Sequence, residues 1–341
     1  MLEDALGDED ERKLWKLAKQ LNGTPDSNSP NEVLVHEGRR ITSHRKKADC
    51  FVNHYASVSK LEFSKEDKCI NRKAKSLLKH PSVGDKSCQN FSMQELQAAL
   101  HKMRRKGAPG PDDIPPAFLK ELGTKALEVL LSIYNDSFWL AACPQIWRTA
   151  IIVPLLKAGK PSGFLKSYRP VRLTSFVVKL MERLIAERIF FIMETSGSFS
   201  NLQAGFRRGG SCEDQILKIT QAIENGFQRR KMERSTLVLL DFSSAFDTVW
   251  RQRLLISMSE QGIPLQIIRW IASFLDNRQA KVRFGDGMSK SRIIRQGLPQ
   301  GSVLSPLLFI MYINNLAVLM PESETIAMFA DDVSILSTRR S

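Results

Sequence analysis

Apolar and polar positions are distributed unevenly along the chain. Up to about residue 91 the sequence is polar and charge-rich. Arg12–Leu21 and Ser43–Lys60 carry modest apolar faces at helical spacing, and Lys65–Lys79 is dense in lysine. The Gly, Ser, Asn and Pro residues of Asn22–Asn31 read as a loop. From Ser92 onward the periods sharpen. Ser92-Met93-Gln94-Glu95 has the spacing of a capping box, which opens a helix running to about Met103. Further helices are predicted over Pro116–Leu122 and Thr124–Leu140, and strands over Thr149–Lys157 and Tyr168–Leu173. Thr174 or Ser175 caps a long helix to about Glu194, with Val178, Met181, Leu184, Ile185, Ile189 and Ile192 turned inward. Ser211 caps a helix over Glu213–Phe227. The run Thr236–Asp241 is continuously apolar until its last residue, the signature of a buried strand. Helices follow over Thr248–Glu260 and Gln266–Leu275. A hairpin is predicted around Asp286-Gly287, then a nearly all-apolar helix over Val303–Leu319 with Pro306 in its first turn. The last pattern is strand, tight turn, strand over Thr325–Leu336. Helices and strands intermixed in this way define an α+β chain.

Composition narrows the partners. A hydrophobic content of 43% over 341 residues supports a packed core. The net charge of +14 and pI of about 9.7 favour a polyanion, nucleic acid before membrane. The five cysteines are scattered, odd in number and form no CxxC, so they read as reduced thiols of an intracellular protein. The start, Met1-Leu2-Glu3-Asp4, lacks a signal-peptide core, and no apolar run approaches a membrane span. The sequons at Asn22, Asn90 and Asn135 therefore read as chance matches.

The candidate chemistry lies at carboxylates beside apolar strands. Asp331 and Asp332 follow Thr325–Met328 directly after Phe329 and Ala330, and Asp241 ends the buried strand 90 residues earlier. Carboxylates so placed are costly unless a cation meets them. A divalent metal with a preference for hard oxygen ligands, Mg²⁺ foremost, suits them, although a solvated turn also accounts for a lone Asp pair. Adjacent strand residues face opposite ways, so Asp332 joins Asp331 only if the turn lies between them. Asp241 and Asp331 are thus the primary candidates and Asp332 the auxiliary. Asp247 has a structural role open to it as the N-cap of the helix that follows. The strands at 149–173 form a hairpin that would present Lys157, Lys160, Lys166, Arg169 and Arg172 at its tip. Arg207 and Arg208 sit in a glycine-rich loop, Gln203–Ser211, that admits either a phosphate backbone or a simple helix start.

Taken together, Asp241 with Phe246, Gly297-Leu298-Pro299-Gln300-Gly301-Ser302, and Phe329-Ala330-Asp331-Asp332 resemble the three palm motifs of reverse transcriptases in order and spacing. Lys106–Asp112, Tyr168-Arg169-Pro170 and Gln203–Arg207 resemble accessory motifs of the non-LTR (LINE-type) retrotransposon branch. The resemblance covers roughly residues 92–338. It implies a right-hand polymerase with an antiparallel palm sheet. It also implies RNA-directed DNA synthesis from RNA template, DNA primer and deoxynucleoside triphosphates, with two Mg²⁺ ions, Mn²⁺ being the substitute. By position Asp241, Asp331 and Asp332 would be catalytic metal ligands. Phe246 would gate against a ribose 2′-hydroxyl, and the Ser244 and Ala245 amides would hold triphosphate. Gln300 would touch the sugar side of the nucleotide, Lys157 and Arg169 its phosphates, and Arg207 the template.

Residues 1–91 resemble the linker of such elements, expected as a partly disordered N-terminal extension, 92–230 the fingers and 231–341 an incomplete palm, with the thumb absent. A non-catalytic nucleic-acid-binding remnant is the alternative this leaves open, and the nucleus is one compartment it admits. Arg172 departs from the pattern, which usually has a small polar residue there.

Overall fold

The strand that ends in Asp241 does not stand alone; among the described residues it is one edge of a three-stranded antiparallel sheet. The computed structural model describes residues 33–36, 38–79, 88–228, 233–319 and 324–340. The helix expected over Arg12–Leu21 and the loop after it lie outside them. In chain order the elements begin with a small antiparallel pair, β1 (Leu34–His36) and β2 (Arg39–Ile41), then α1 (His44–Val58) and α2 (Asp67–Lys79). Next come α3 (Met93–His101), α4 (Pro116–Lys120), α5 (Thr124–Trp139), β3 (Thr149–Leu156), β4 (Tyr168–Leu173) and α6 (Phe176–Thr195). They are followed by α7 (Cys212–Gln228), β5 (Glu233–Asp241), α8 (Arg251–Glu260), α9 (Leu265–Leu275), β6 (Arg278–Phe284), β7 (Gly287–Met288) and β8 (Arg292–Ile294). The order closes with α10 (Ser305–Ile313), β9 (Thr325–Phe329) and β10 (Asp332–Arg340).

Two larger sheets organise these elements into an α+β fold. One has the order β5-β10-β9 and is antiparallel throughout. The other runs β4-β3-β6-β7, with β8 also on β6; its β3–β6 pair is parallel and the rest are antiparallel. The turn joining β6 and β7 is Gly285-Asp286, because Phe284 pairs with Gly287. This is one residue earlier than the expected Asp286-Gly287, and Gly285 takes the positive φ.

The main core forms where the apolar stripes of α3, α5, α6, α8, α9 and α10 meet the inner face of β9 and β10. Every α6 residue expected inward is buried except Ile192, which is half-buried. Ser175 caps this helix, accepting from the Val177 and Val178 amides. On α9, Trp270 and Phe274 stack at 5.4 Å, both fully buried. Burying a side chain of this size stabilises by roughly 1.5–3 kcal/mol.

Residues expected to be a linker take part in a second core. Phe51, Val52 and Tyr55 of α1 pack on Ile152, Val282 and Ile294 of the mixed sheet, with Leu34 of β1 beside them. The Lys47 ammonium lies 5.4 Å from the Phe284 ring centre. α2 lies against α8, where the Trp250 indole donates to Asn71 at 3.2 Å and faces Phe63. α1 and α2 thus both pack against elements that follow residue 91 in the chain.

Candidate active site

The register of the antiparallel sheet brings the distant carboxylates together. Asp332 stands directly opposite Asp241 across the β5–β10 ladder, and opposite Phe329 across the β9–β10 hairpin. The hairpin turn is thus Ala330-Asp331, with Ala330 at φ 55°. Directly opposed residues of antiparallel strands share a face, with Cβ atoms about 4.5–5.5 Å apart. The cross-strand partner of Asp241 is therefore Asp332, the residue expected to be auxiliary, and Asp331 sits beside the pair in the turn. The reason is register: a two-residue turn beginning at Ala330 hands the first ladder position to Asp332.

Like charges directly opposed are destabilising. Among the described residues no ion pair or side-chain hydrogen bond reaches Asp241, Asp331 or Asp332. Nor do any three His, Cys, Asp or Glu side chains among the described residues converge into a group that holds a metal ion by itself. Two facing carboxylates with a third at the turn are nonetheless the donor set a hard divalent ion takes when substrate phosphates and water complete its shell. The residues fit Mg²⁺ on that chemistry.

Gln203 supports this turn, and sequence reasoning passed over it. Its side chain is buried and bonds both polar groups of Ala330: Oε1 accepts from the Ala330 amide at 2.9 Å, and Nε2 donates to the carbonyl at 3.2 Å. Oε1 also accepts from the Gly205 amide at 2.8 Å. A side chain at Gly205 would collide with the Ala330 backbone. The glycine-rich loop is thus shaped first to hold the Asp331 turn. Leu202 and Ala204 also bond Met328 and cover the outer edge of β9. The available signal was a polar residue with two small neighbours before an aromatic, too short to read alone.

A second loop is fixed beside the first. Gly297 takes φ 82° and lies on the Asp247 backbone, where no side chain fits. The Leu298 amide donates to the Phe246 carbonyl at 2.7 Å, and the Gly297 amide to the Val249 carbonyl at 2.8 Å. Arg251, buried, donates to the carbonyls of Gly297, Gln296 and Leu275. From the other side, Glu182 of α6 accepts from the Ser302 hydroxyl and, at 3.1 Å, from the Leu304 amide. Burial pushes the Glu182 carboxyl up from the ordinary carboxylate value.

Phe246 is half-buried, stacked on Phe309 at 4.8 Å and edge-on to Phe206 at 6.3 Å. Ser244 adopts φ 54°, an uncommon conformation for a residue with a side chain. The Ser244 and Ala245 amides meet no acceptor among the described residues.

Two expectations are corrected here. α8 begins at Arg251, with Trp250 at its N-cap position, so Asp247 does not cap it. Asp247 instead takes an ion pair from Arg172 at 2.6 Å and a hydrogen bond from the Gln300 amide at 2.9 Å. Arg172, expected at a hairpin tip, is buried. Its register partner is Ile152, deep in the mixed sheet, which leaves it no route to solvent.

Other sequence-predicted cations are placed variously. Arg169 is exposed on β4, opposite Leu155. Lys157 bonds the Lys166 carbonyl at 3.2 Å. Arg207 is turned back on its own scaffold: it pairs with Glu194 at 3.1 Å, donates to the Ser200 carbonyl, and lies over the Phe199 ring.

A sheet that opposes two carboxylates, flanked by a glycine-braced polar loop and a half-buried aromatic, defines the candidate site. Comparison with known proteins gives the class. The family described as reverse transcriptase (RNA-dependent DNA polymerase) matches residues 156–341, more than half the chain. The chain belongs to that family, in its non-LTR branch.

Among its relatives, the probable RNA-directed DNA polymerase from transposon BS of Drosophila melanogaster is 31% identical over 95% of this chain and 36% of its own length. The corresponding protein of transposon X-element of Drosophila melanogaster is 33% identical over 72% of this chain and 27% of its own. The RNA-directed DNA polymerase from mobile element jockey of the same organism is 26% identical over 96% and 36%. The chain spans about a third of the length of these curated relatives.

Proposed function

We propose that this chain carries the RNA-directed DNA polymerase centre of a non-LTR retrotransposon protein and extends a DNA primer along an RNA template. The observation that carries the reading is the facing pair Asp241 and Asp332, with Asp331 at the adjoining turn and, among the described residues, no protein cation against any of them. In this reading residues 92–230 act as fingers and 231–341 as palm, with α1 and α2 an N-terminal extension packed against them.

Asp241, Asp331 and Asp332 would hold the metal. Bound there, a pair of Mg²⁺ or Mn²⁺ ions supplies activation of the primer 3′-hydroxyl and neutralisation of triphosphate charge. The chain's own groups do the rest. Phe246, backed by Phe309, is rigid enough to exclude a 2′-hydroxyl. The free amides of Ser244 and Ala245 are donors for triphosphate oxygens. Lys157 and Arg169 bring charge from the β3–β4 hairpin, Gln300 faces the sugar, and Arg207 braces the loop along which the template would lie. Such substrates place the chain inside the cell, the nucleus included.

Primer extension on an RNA template with Mg²⁺ tests the reading. Asp241→Asn, Asp331→Asn and Asp332→Asn are each expected to lower extension by about 10²-fold or more, the scale of several kcal/mol of lost charge stabilisation. Circular dichroism should show the fold retained. Extension that survives Asp241→Asn unchanged would sink the assignment.

A further inference from the structure

Three buried guanidinium groups converge on one small pocket. Arg172 of β4, Arg251 at the start of α8 and Arg278 at the start of β6 line it, together with Ile294 of β8 and Leu298 and Pro299 of the Gly297–Ser302 loop. The three arginines are 7%, 6% and 4% exposed, so each is more than nine-tenths buried. The pocket measures about 10 Å³, room for one particle of about the size of a water molecule.

The partners of these arginines do not balance their charge. Arg251 donates to the carbonyls of Leu275, Gln296 and Gly297. Arg278 donates through Nη1 to the Phe274 carbonyl at 3.0 Å and lies over the Phe274 ring. Carbonyls orient a guanidinium but leave its unit charge in place. Arg172 has a carboxylate, Asp247 at 2.6 Å; Arg251 and Arg278 have none within ion-pair distance among the described residues. Glu182, whose charge reaches Arg278, is itself pushed towards its neutral form by burial. Burial, and after it the Arg278 and Arg172 charges, push Arg251 down to about 9. Donors are left over as well. Arg172 Nε is sealed from solvent and meets no acceptor among the described residues, and Arg278 uses Nη1 alone.

We propose that the pocket among Arg172, Arg251 and Arg278 binds a small monovalent anion, a halide and chloride foremost, which ties the mixed sheet to the Gly297–Ser302 loop. Buried charge without a counter-charge is costly. A halide supplies the missing charge and the missing acceptor at once. It is little larger than water, whereas a carboxylate or phosphate exceeds the space. Water, the rival occupant, would satisfy the Arg172 Nε and leave the charge unbalanced. The site stands apart from the polymerase reading, since it needs only the three arginines and the pocket between them.

Crystals of the chain grown with sodium bromide in place of chloride test the site directly. Diffraction at the bromine absorption edge should show an anomalous peak in the pocket, against Arg172 and Arg278. Water density there with no anomalous signal would overturn the proposal.

Stability reads the same site in solution. Sodium chloride is exchanged for sodium gluconate at constant ionic strength, so that general screening stays fixed. Once chloride exceeds the dissociation constant of a single site, the unfolding equilibrium constant should fall about tenfold for each tenfold rise in chloride. An unfolding constant indifferent to chloride would count against the site as heavily as an empty map. Arg278→Met should abolish the dependence, and Arg278→Lys, which keeps the charge, should retain part of it. The wild-type slope persisting in Arg278→Met would put the halide elsewhere and sink the assignment. If Arg278→Met fails to fold, the bromide map, which needs no variant, still decides.

Discussion

At the scale of single residues, the candidate site is built from side chains held by packing and hydrogen bonds, and the proposed chemistry draws on the same groups. Phe246 shows the tension. Its stacking on Phe309 contributes to the core, so Phe246→Ala should cost about 1–3 kcal/mol, less than a fully buried ring would. If the ring also gates the sugar, the same variant should raise ribonucleotide over deoxyribonucleotide incorporation; unchanged selectivity with lost stability would make it packing alone. Gln203 is a sharper case. Gln203→Met removes all three of its bonds to Ala330 and Gly205 and leaves buried amides unpaired, about 1–3 kcal/mol for each unsatisfied group. Chemical denaturation should register that loss, and extension should fall because the Asp331 turn is freed.

Glu182 makes stability depend on pH. Its carboxyl is raised by burial, against the Ser302 and Leu304 hydrogen bonds and the nearby Arg278 and Lys179 charges, and one of its oxygens has no partner. The folded chain therefore keeps a proton that the unfolded chain releases above 4.5. Its contribution is complete below that pH and declines as pH rises towards the raised folded value. Glu182→Gln should flatten this decline in urea midpoints measured across the window; an unchanged slope would show that Glu182 is not its source.

At the scale of elements, capping and periodicity were legible and edges were not. Ser92 and Glu95 form the capping box the spacing foretold, and the inner face of α6 came out almost residue for residue. α8 began three residues later than expected because Asp247 was drawn off by Arg172, a contact between positions 75 apart in the chain. β5 was expected to be a buried central strand. It is an edge of its sheet among the described residues, with Leu239 70% exposed and Leu237 44%. A continuous apolar run signals burial on both faces but does not say which element supplies the cover. Exposed apolar edges pair with other chains. Leu239→Lys should therefore reduce self-association in sedimentation measurements without lowering the unfolding midpoint. Equal association by both proteins would show the edge to be harmless.

For the whole molecule, the net charge of +14 favours the proposed nucleic-acid partner, but the structure decides which cations are left outside ion pairs among the described residues. Arg105, Arg207 and Arg208 are each tied to a glutamate. Lys68, Arg72, Lys75 and Lys79 stand along α2, exposed and with no ion pair among the described residues. Binding should weaken steeply with salt as counterions are released. Replacing those four with Ala should flatten the plot of log affinity against log salt more than Arg207→Ala does. The reverse order would return the contact to the glycine-rich loop.

The sequence by itself determined the periods of the helices and strands, the basic character of the chain, and the order of motifs that carries its family, because these are local or compositional properties. It also singled out Asp241, Asp331 and Asp332, since a carboxylate beside an apolar strand is conspicuous wherever it occurs. Tertiary structure decided which of them face each other, through a two-residue turn that moved Asp332 into the ladder opposite Asp241. It also decided that α1 belongs to the core of the mixed sheet, that Gln203 braces the turn, and that Arg172 turns inward to Asp247 and through it to Gln300. Each of these depends on contacts between residues dozens to hundreds of positions apart, and single-chain patterning carries no term for them.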